Sequence, residues 1–111
     1  MGTVKDPGVL LPLGTSAFQI LLSLAEGERH GYSVAKAIEA ATNGATRLRP
    51  GSLYRLLKQM ATDGWIVESE SDDRRRYYRL TPWGRKIAQA EAQRLRNLVR
   101  RAQAAQLLPS R

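Results

Sequence analysis

The sequence predicts a mainly α-helical fold with one small β-hairpin and a long C-terminal helix. Three observations carry this. Apolar residues recur three and four apart in three successive segments between residues 15 and 62, each followed by a glycine. The period then drops to two over residues 65–80, on either side of an Asp-containing turn. From Arg85 onward no glycine or proline intervenes before Pro109.

The elements follow in order. Residues 1–13, with Gly2, Pro7, Gly8 and Pro12, read as a flexible arm in which residues 9–13 pack onto a partner surface. Thr15 or Ser16 caps a first helix with Phe18, Leu21, Leu22 and Ala25 on its apolar face, and Gly27 ends it. A second helix follows Gly31, with Tyr32, Val34, Ala35, Ile38 and then Ala41 or Thr42 at helical spacing. The third is the best marked. Pro50 suits a first turn, where its missing N–H would have no partner anyway, and Leu53, Leu56, Leu57 and Met60 form a stripe closed by Asp63-Gly64. Residues 65–70 and 74–80 are β-prone around Ser71-Asp72-Asp73, which makes a two-stranded hairpin. Alternation along the second strand sets Tyr78 and Leu80 on one face and Arg75, Tyr77 and Arg79 on the other. Thr81-Pro82 opens the last helix, which should run to Gln106. The expected organisation is an arm (1–13), a domain (14–81), a helix (82–106) and a tail (107–111).

Charge is placed unevenly. The 111 residues carry 18 Lys+Arg against 10 Asp+Glu, a net charge of +8. Residues 1–46 sum to −1, whereas residues 47–101 hold 14 basic and 6 acidic side chains. Such a surplus favours a polyanionic partner, nucleic acid first and an anionic membrane surface second. Cysteine is absent, which excludes disulfides, thiolate metal sites and cysteine nucleophiles. A histidine-based metal site or catalytic triad would need His30, the only histidine, which reads instead as a cap or packing residue of the second helix. No carboxylate pair, Gly-rich phosphate loop or nucleophile motif supports an enzyme, and no metal or cofactor is expected. With no apolar run of about eighteen residues and no secretory pattern, the expected location is the cytoplasm beside the nucleoid, without membrane contact.

Three helices followed by a hairpin give a winged helix-turn-helix, in which the third helix enters the major groove and the wing lies beside the backbone or minor groove. The cations fall where that arrangement needs them. Arg47 and Arg49 precede the third helix, whose first residues, Pro50 and Gly51, begin an end that offers free N–H groups to phosphate. Ser52, Arg55 and Gln59 lie off the apolar stripe, as base-reading side chains must, and Lys58 stands beside them. Arg74, Arg75, Arg76 and Tyr77 occupy the wing's tip and second strand. An isolated arginine triplet also reads as a solvated charge run, but its place after a helix-turn-helix pattern favours a wing. Tyr54 borders the stripe, and Tyr32 is a similar case. Packing and phosphate contact are both open to these two.

Glu26-Gly27-Glu28-Arg29-His30-Gly31-Tyr32 is similar to the EGPxHGYEIAK segment of the PadR family of transcriptional regulators. Arg47-Leu48-Arg49-Pro50-Gly51-Ser52-Leu53-Tyr54, continuing through Leu56, Leu57 and Gly64-Trp65-Ile66, is similar to xLSPGTLYPxLxRLExxGLI. Arg74-Arg75-Arg76-Tyr77-Tyr78-Arg79-Leu80-Thr81, then Gly84, is similar to RRRYYxLTxxG. The resemblance implies a repressor-like DNA-binding domain with a helical dimerisation extension, and DNA contacts at Tyr32, Ser52, Tyr54, Arg55 and the Arg74, Arg75 and Arg76 wing. Arg49 stands where the family has Ser, and Arg55 where it usually has Pro; each departure adds a cation. The short tail resembles the branch without a separate C-terminal domain.

The last helix needs a cover. A domain this small cannot bury about 25 residues of helix, roughly 37 Å long, so the same helix of a second subunit is the expected partner. Phe18, Ile87, Leu95, Leu98, Val99 and Ala102 are the expected dimer contacts. Dimerisation would set two recognition helices about 34–36 Å apart on a two-fold site. A small-molecule effector pocket would have to draw on Phe18 and Trp83. The expected function is therefore a homodimeric, sequence-specific regulator of double-stranded DNA, a repressor released by such an effector. The rival is a winged helix that captures a protein and binds DNA weakly, whatever its sequence. An RNA-binding variant lacks the aromatic platform of single-strand readers.

Overall fold

The computed structural model describes residues 6–70 and 76–109. Among these, a 3-10 turn at Pro7–Leu10 precedes α1 (Thr15–Ala25), β1 (Arg29–His30), α2 (Gly31–Ala41), α3 (Pro50–Thr62), β2 (Ile66–Glu70), β3 (Arg76–Leu80) and α4 (Pro82–Ala104). The expected turn at Ser71-Asp72-Asp73, with Arg74 and Arg75, lies outside the described residues, as do residues 1–5 and 110–111.

The wing is larger than the predicted hairpin. β1 adds to its free side, giving an antiparallel sheet of order β1-β3-β2 with Arg29 opposite Tyr78 and His30 opposite Tyr77. Two residues are too few to show a period, so only pairing with a strand nearly fifty residues away reveals β1. This pairing fixes the start of α2 against the wing. His30 then caps α2: its Nδ1 accepts from the Ser33 N–H at 3.3 Å, and its ring meets Tyr77 edge-to-face at 5.6 Å.

One core holds the helices to the sheet. Ile20, Leu21 and Leu24 of α1, Val34 and Ile38 of α2, and Leu53, Leu57 and Met60 of α3 are buried together. Ile66, Tyr78, Ile87 and Ala88 complete the cluster. Each large apolar side chain so buried contributes about 1.5–3 kcal/mol. The α3 stripe is as the spacing predicts. The α1 face is rotated: Leu22 and Ala25 point outward, and Ile20 and Leu24 take the core positions. Six of the eleven α1 residues are large or small aliphatics, so several faces fit the period and packing chooses among them. The N-cap of α1 is Gly14, without a side-chain bond, one position before the expected Thr15 or Ser16.

The capping of α4 follows the sequence closely. Thr81 Oγ1 accepts from the Gly84 N–H at 2.9 Å and donates to the Gly64 carbonyl at 2.6 Å. The Thr81 N–H donates to the Trp65 carbonyl at 3.1 Å. A Cβ on Gly84 would overlap that carbonyl, so this position in the first turn of α4 admits only glycine. No helix among the described residues is long and apolar enough to cross a membrane.

Two expectations about the ends are corrected. The arm is in part ordered: Asp6 caps the 3-10 turn by accepting from the Gly8 N–H at 2.8 Å, and the turn packs against α4 of its own chain. On α4 the inward residues are Gly84, Ile87, Ala88 and Glu91. Ile87, expected at a dimer contact, is fully buried in its own subunit's core and cannot reach a partner. Ala92, an apolar residue spaced to continue this face, is exposed. Glu91 takes that inward position at 2% exposure because Arg94 grips it with two bonds, of 2.7 and 2.8 Å. The Arg94 hydrogen bonds, aided by the Leu13 backbone, hold the Glu91 carboxyl below its ordinary pKa in spite of burial, and Glu91 in turn raises that of Arg94.

Candidate nucleic-acid interface

α3 presents its stripe to the core, and its long polar side chains face outward. Tyr54, Arg55, Lys58 and Gln59 are exposed, and Ser52 is half-buried at the helix start. Arg49 is the N-cap residue of α3 but makes no side-chain cap bond, so the first N–H groups of the helix have no side-chain acceptor there. The α3 first turn carries no acid. Its end is therefore both unblocked and positive.

The expected contact residues divide between two concavities on either side of α3. One, of about 690 Å³, is lined by Arg47, Arg49, Ser52 and Arg55 together with Thr15 and Ser16 at the start of α1. Thr15 and Ser16 join this concavity only through the tertiary fold, since as a sequence they read merely as caps. The other, of about 1030 Å³, lies between α3 and the sheet and is lined by Tyr32, Tyr54, Lys58 and Arg76, with His30, Glu68 and Tyr78. Gly51 is exposed, with open space beside its Cα.

Arg47, Gln59 and Arg76 have polar partners within the chain. Arg47 lies 3.8 Å from Glu39, with both exposed, a contact worth little. Gln59 donates to both carboxylate oxygens of Asp63 at 3.1 Å, which draws it towards the end of α3 and away from its neighbours. Arg76 lies 3.0 Å from Glu68. Arg29, by contrast, belongs to the scaffold: it donates to the Ser23 carbonyl at 3.0 Å and pairs with Glu26 at 2.9 Å.

The tyrosines separate into different roles. Tyr32 is 62% exposed, with the Lys36 ammonium 5.2 Å from its ring centre, so it is no core residue. Tyr54 is 48% exposed, and one side of its ring lies against Gly31, where a Cβ would come within 2.8 Å. Gly31 therefore lets α3 approach the start of α2. Tyr78 is buried, and burial, with the Glu68 carboxylate nearby, raises its phenol pKa. Tyr77 is half-buried against His30, and Phe18 and Trp83 are half-buried against the core.

Residues 20–90, well over half of the chain, match the model of the Transcriptional regulator PadR-like family. The chain belongs to that family. Its expected motifs all fall within or beside the matched span. A curated relative from Streptomyces fradiae, an uncharacterized 37.1 kDa protein in transposon TN4556, is 37% identical over 79 residues. The alignment takes in 71% of this chain but 22% of that relative, so the chain spans about a fifth of its length. Among solved structures, a PadR family transcription regulator from Clostridium difficile R20291 superposes with a TM-score of 0.72 at 25% identity, over 82% of this chain and 97% of that one. Bacillus subtilis PadR, solved in complex with operator DNA, superposes with a TM-score of 0.61 at 22% identity, over 76% of this chain and 47% of that one. At that identity the second likeness is one of fold. This PadR-like chain thus shares its winged-helix architecture with structurally characterised regulators.

Proposed function

We propose that this PadR-like regulator binds double-stranded DNA as a homodimer and represses by occupying a two-fold-related operator. The observation that carries the reading is the outward face of α3. Arg55, Lys58 and Tyr54 stand on the side opposite the Leu53, Leu57 and Met60 stripe, flanked by Arg49 on one edge and Arg76 on the other. On this reading Arg55 and Ser52 read base edges, while Arg47, Arg49, Lys58 and Arg76 hold phosphates. Arg74 and Arg75 extend the same wing by sequence. The operator complex of Bacillus subtilis PadR, which shares the fold, supports the choice of partner.

The dimer rests on α4. Leu95, Leu98, Val99 and Ala102 continue one helical face beyond the reach of the core, and Leu98 and Val99 are each 45% exposed. Covering that face with its symmetry mate needs no second kind of partner. Phe18 and Trp83, on α1 and α4, are the aromatic side chains a small-molecule effector would engage, and quenching of tryptophan fluorescence by candidate compounds would test that role. A cytoplasmic location follows from the DNA partner.

Selection of bound genomic fragments, followed by footprinting, tests the reading. Enrichment of a sequence with two-fold symmetry, protected over two successive major grooves, is expected. Failure to enrich any such sequence overturns it.

A further inference from the structure

We propose that Glu68 is a built-in competitor of DNA for Arg76, and that it lowers the protein's sequence-independent affinity for the phosphate backbone. The inference rests on the DNA-binding reading above. In the β2–β3 register Glu68 stands opposite Tyr78, and Arg76 precedes Tyr78 by two residues, so all three share one face of the sheet. That face looks into the cavity of about 1030 Å³ between α3 and the wing. Among the described residues lining it, Lys58 and Arg76 are the cations and Glu68 is the single acid.

The pair is built for exchange. Arg76 reaches Glu68 at 3.0 Å, with the arginine side chain 73% exposed and the carboxylate 36%. The acid is thus the more enclosed partner and the guanidinium the more open to solvent. A phosphodiester entering between α3 and the sheet offers the guanidinium the same kind of oxyanion face as a carboxylate, so one can replace the other. Exposed ion pairs are weak, so the carboxylate gives way without rebuilding the fold. Until it does, it occupies the cation and repels the incoming phosphate. A wing with the arginine alone would hold any duplex more tightly.

The test uses the whole chain, a fluorescein-labelled 30-base-pair duplex of arbitrary sequence, and anisotropy at low salt. Glu68→Gln should bind about three- to tenfold more tightly than the unsubstituted protein. In an Arg76→Gln background the same Glu68→Gln change should gain less than about twofold, because no cation remains to be released. Glu26→Gln, which removes an equal charge from the Arg29 pair outside this cavity, serves as the charge control and should gain less than Glu68→Gln. Unchanged thermal melting of each variant establishes that the fold is intact. If Glu68→Gln gains nothing, or gains equally with and without Arg76, the competition is overturned while DNA binding stands. Absence of binding by the unsubstituted protein overturns both.

Discussion

α3 and α4 are both amphipathic, yet what each leaves uncovered differs. The α3 stripe of Leu53, Leu57 and Met60 is wholly buried by its own chain, and the rest of that helix presents Arg55, Lys58 and Tyr54. The α4 stripe is covered only through Glu91. Beyond it Leu98 and Val99 stay exposed, among Arg96, Arg100 and Arg101. A cationic remainder suits a polyanion and an apolar remainder suits another apolar face, which is why the proposed reading gives one small domain two surfaces for two kinds of partner.

Substitutions separate these surfaces. Leu57→Ala, at a site with no exposure, should cost about 2–5 kcal/mol of folding stability, read by urea denaturation. Leu98→Ala should leave the folded monomer near its original stability but weaken the proposed dimer by about 2–4 kcal/mol, since the side chain would be lost from both copies. Sedimentation at varied concentration checks this. A loss of monomer stability as large as that of Leu57→Ala would show that α4 is covered within one chain. Arg55→Ala should cost about 1–3 kcal/mol at the selected operator and relax sequence preference. Lys58→Ala should weaken binding to all sequences alike and reduce the salt slope by about 1.

The smallest effect concerns the boundary between the two halves of α4. The folded-state pKa of Glu91 is lowered, so the carboxylate stabilises the fold above its unfolded value, about 4.3. That contribution falls away as pH drops from there through the folded value. Glu91→Gln should therefore be less stable than the unsubstituted protein at pH 7, and the gap should narrow below pH 4. A gap that stays constant across this range would mean that Glu91 acts by packing alone.

Much of the framework that carries the candidate site is legible in the sequence. Pro50, Thr81 and Asp63-Gly64 mark helix ends by backbone chemistry that needs no tertiary partner. The α3 stripe is clean because polar residues separate its members. α1 was read a position out because its many aliphatics fit more than one face. Glu91 was invisible as an inward residue, since an acid on an apolar face makes sense only once Arg94 is seen to neutralise it.

By itself the sequence determined the order of the four helices and the β2–β3 hairpin, the cationic face of α3, the capping of α4 and the likeness to a family of regulators. These depend on spacing and on the local hydrogen-bonding habits of proline, glycine and threonine, which act within a turn or two. Only the tertiary structure decided that β1 completes the wing, that Thr15 and Ser16 join Arg49 at one concavity, and that Arg76 rests on Glu68. It also decided where on α4 the chain's own cover ends. Each of these is a contact between residues far apart in the chain, and no local period records which distant segment will supply the partner.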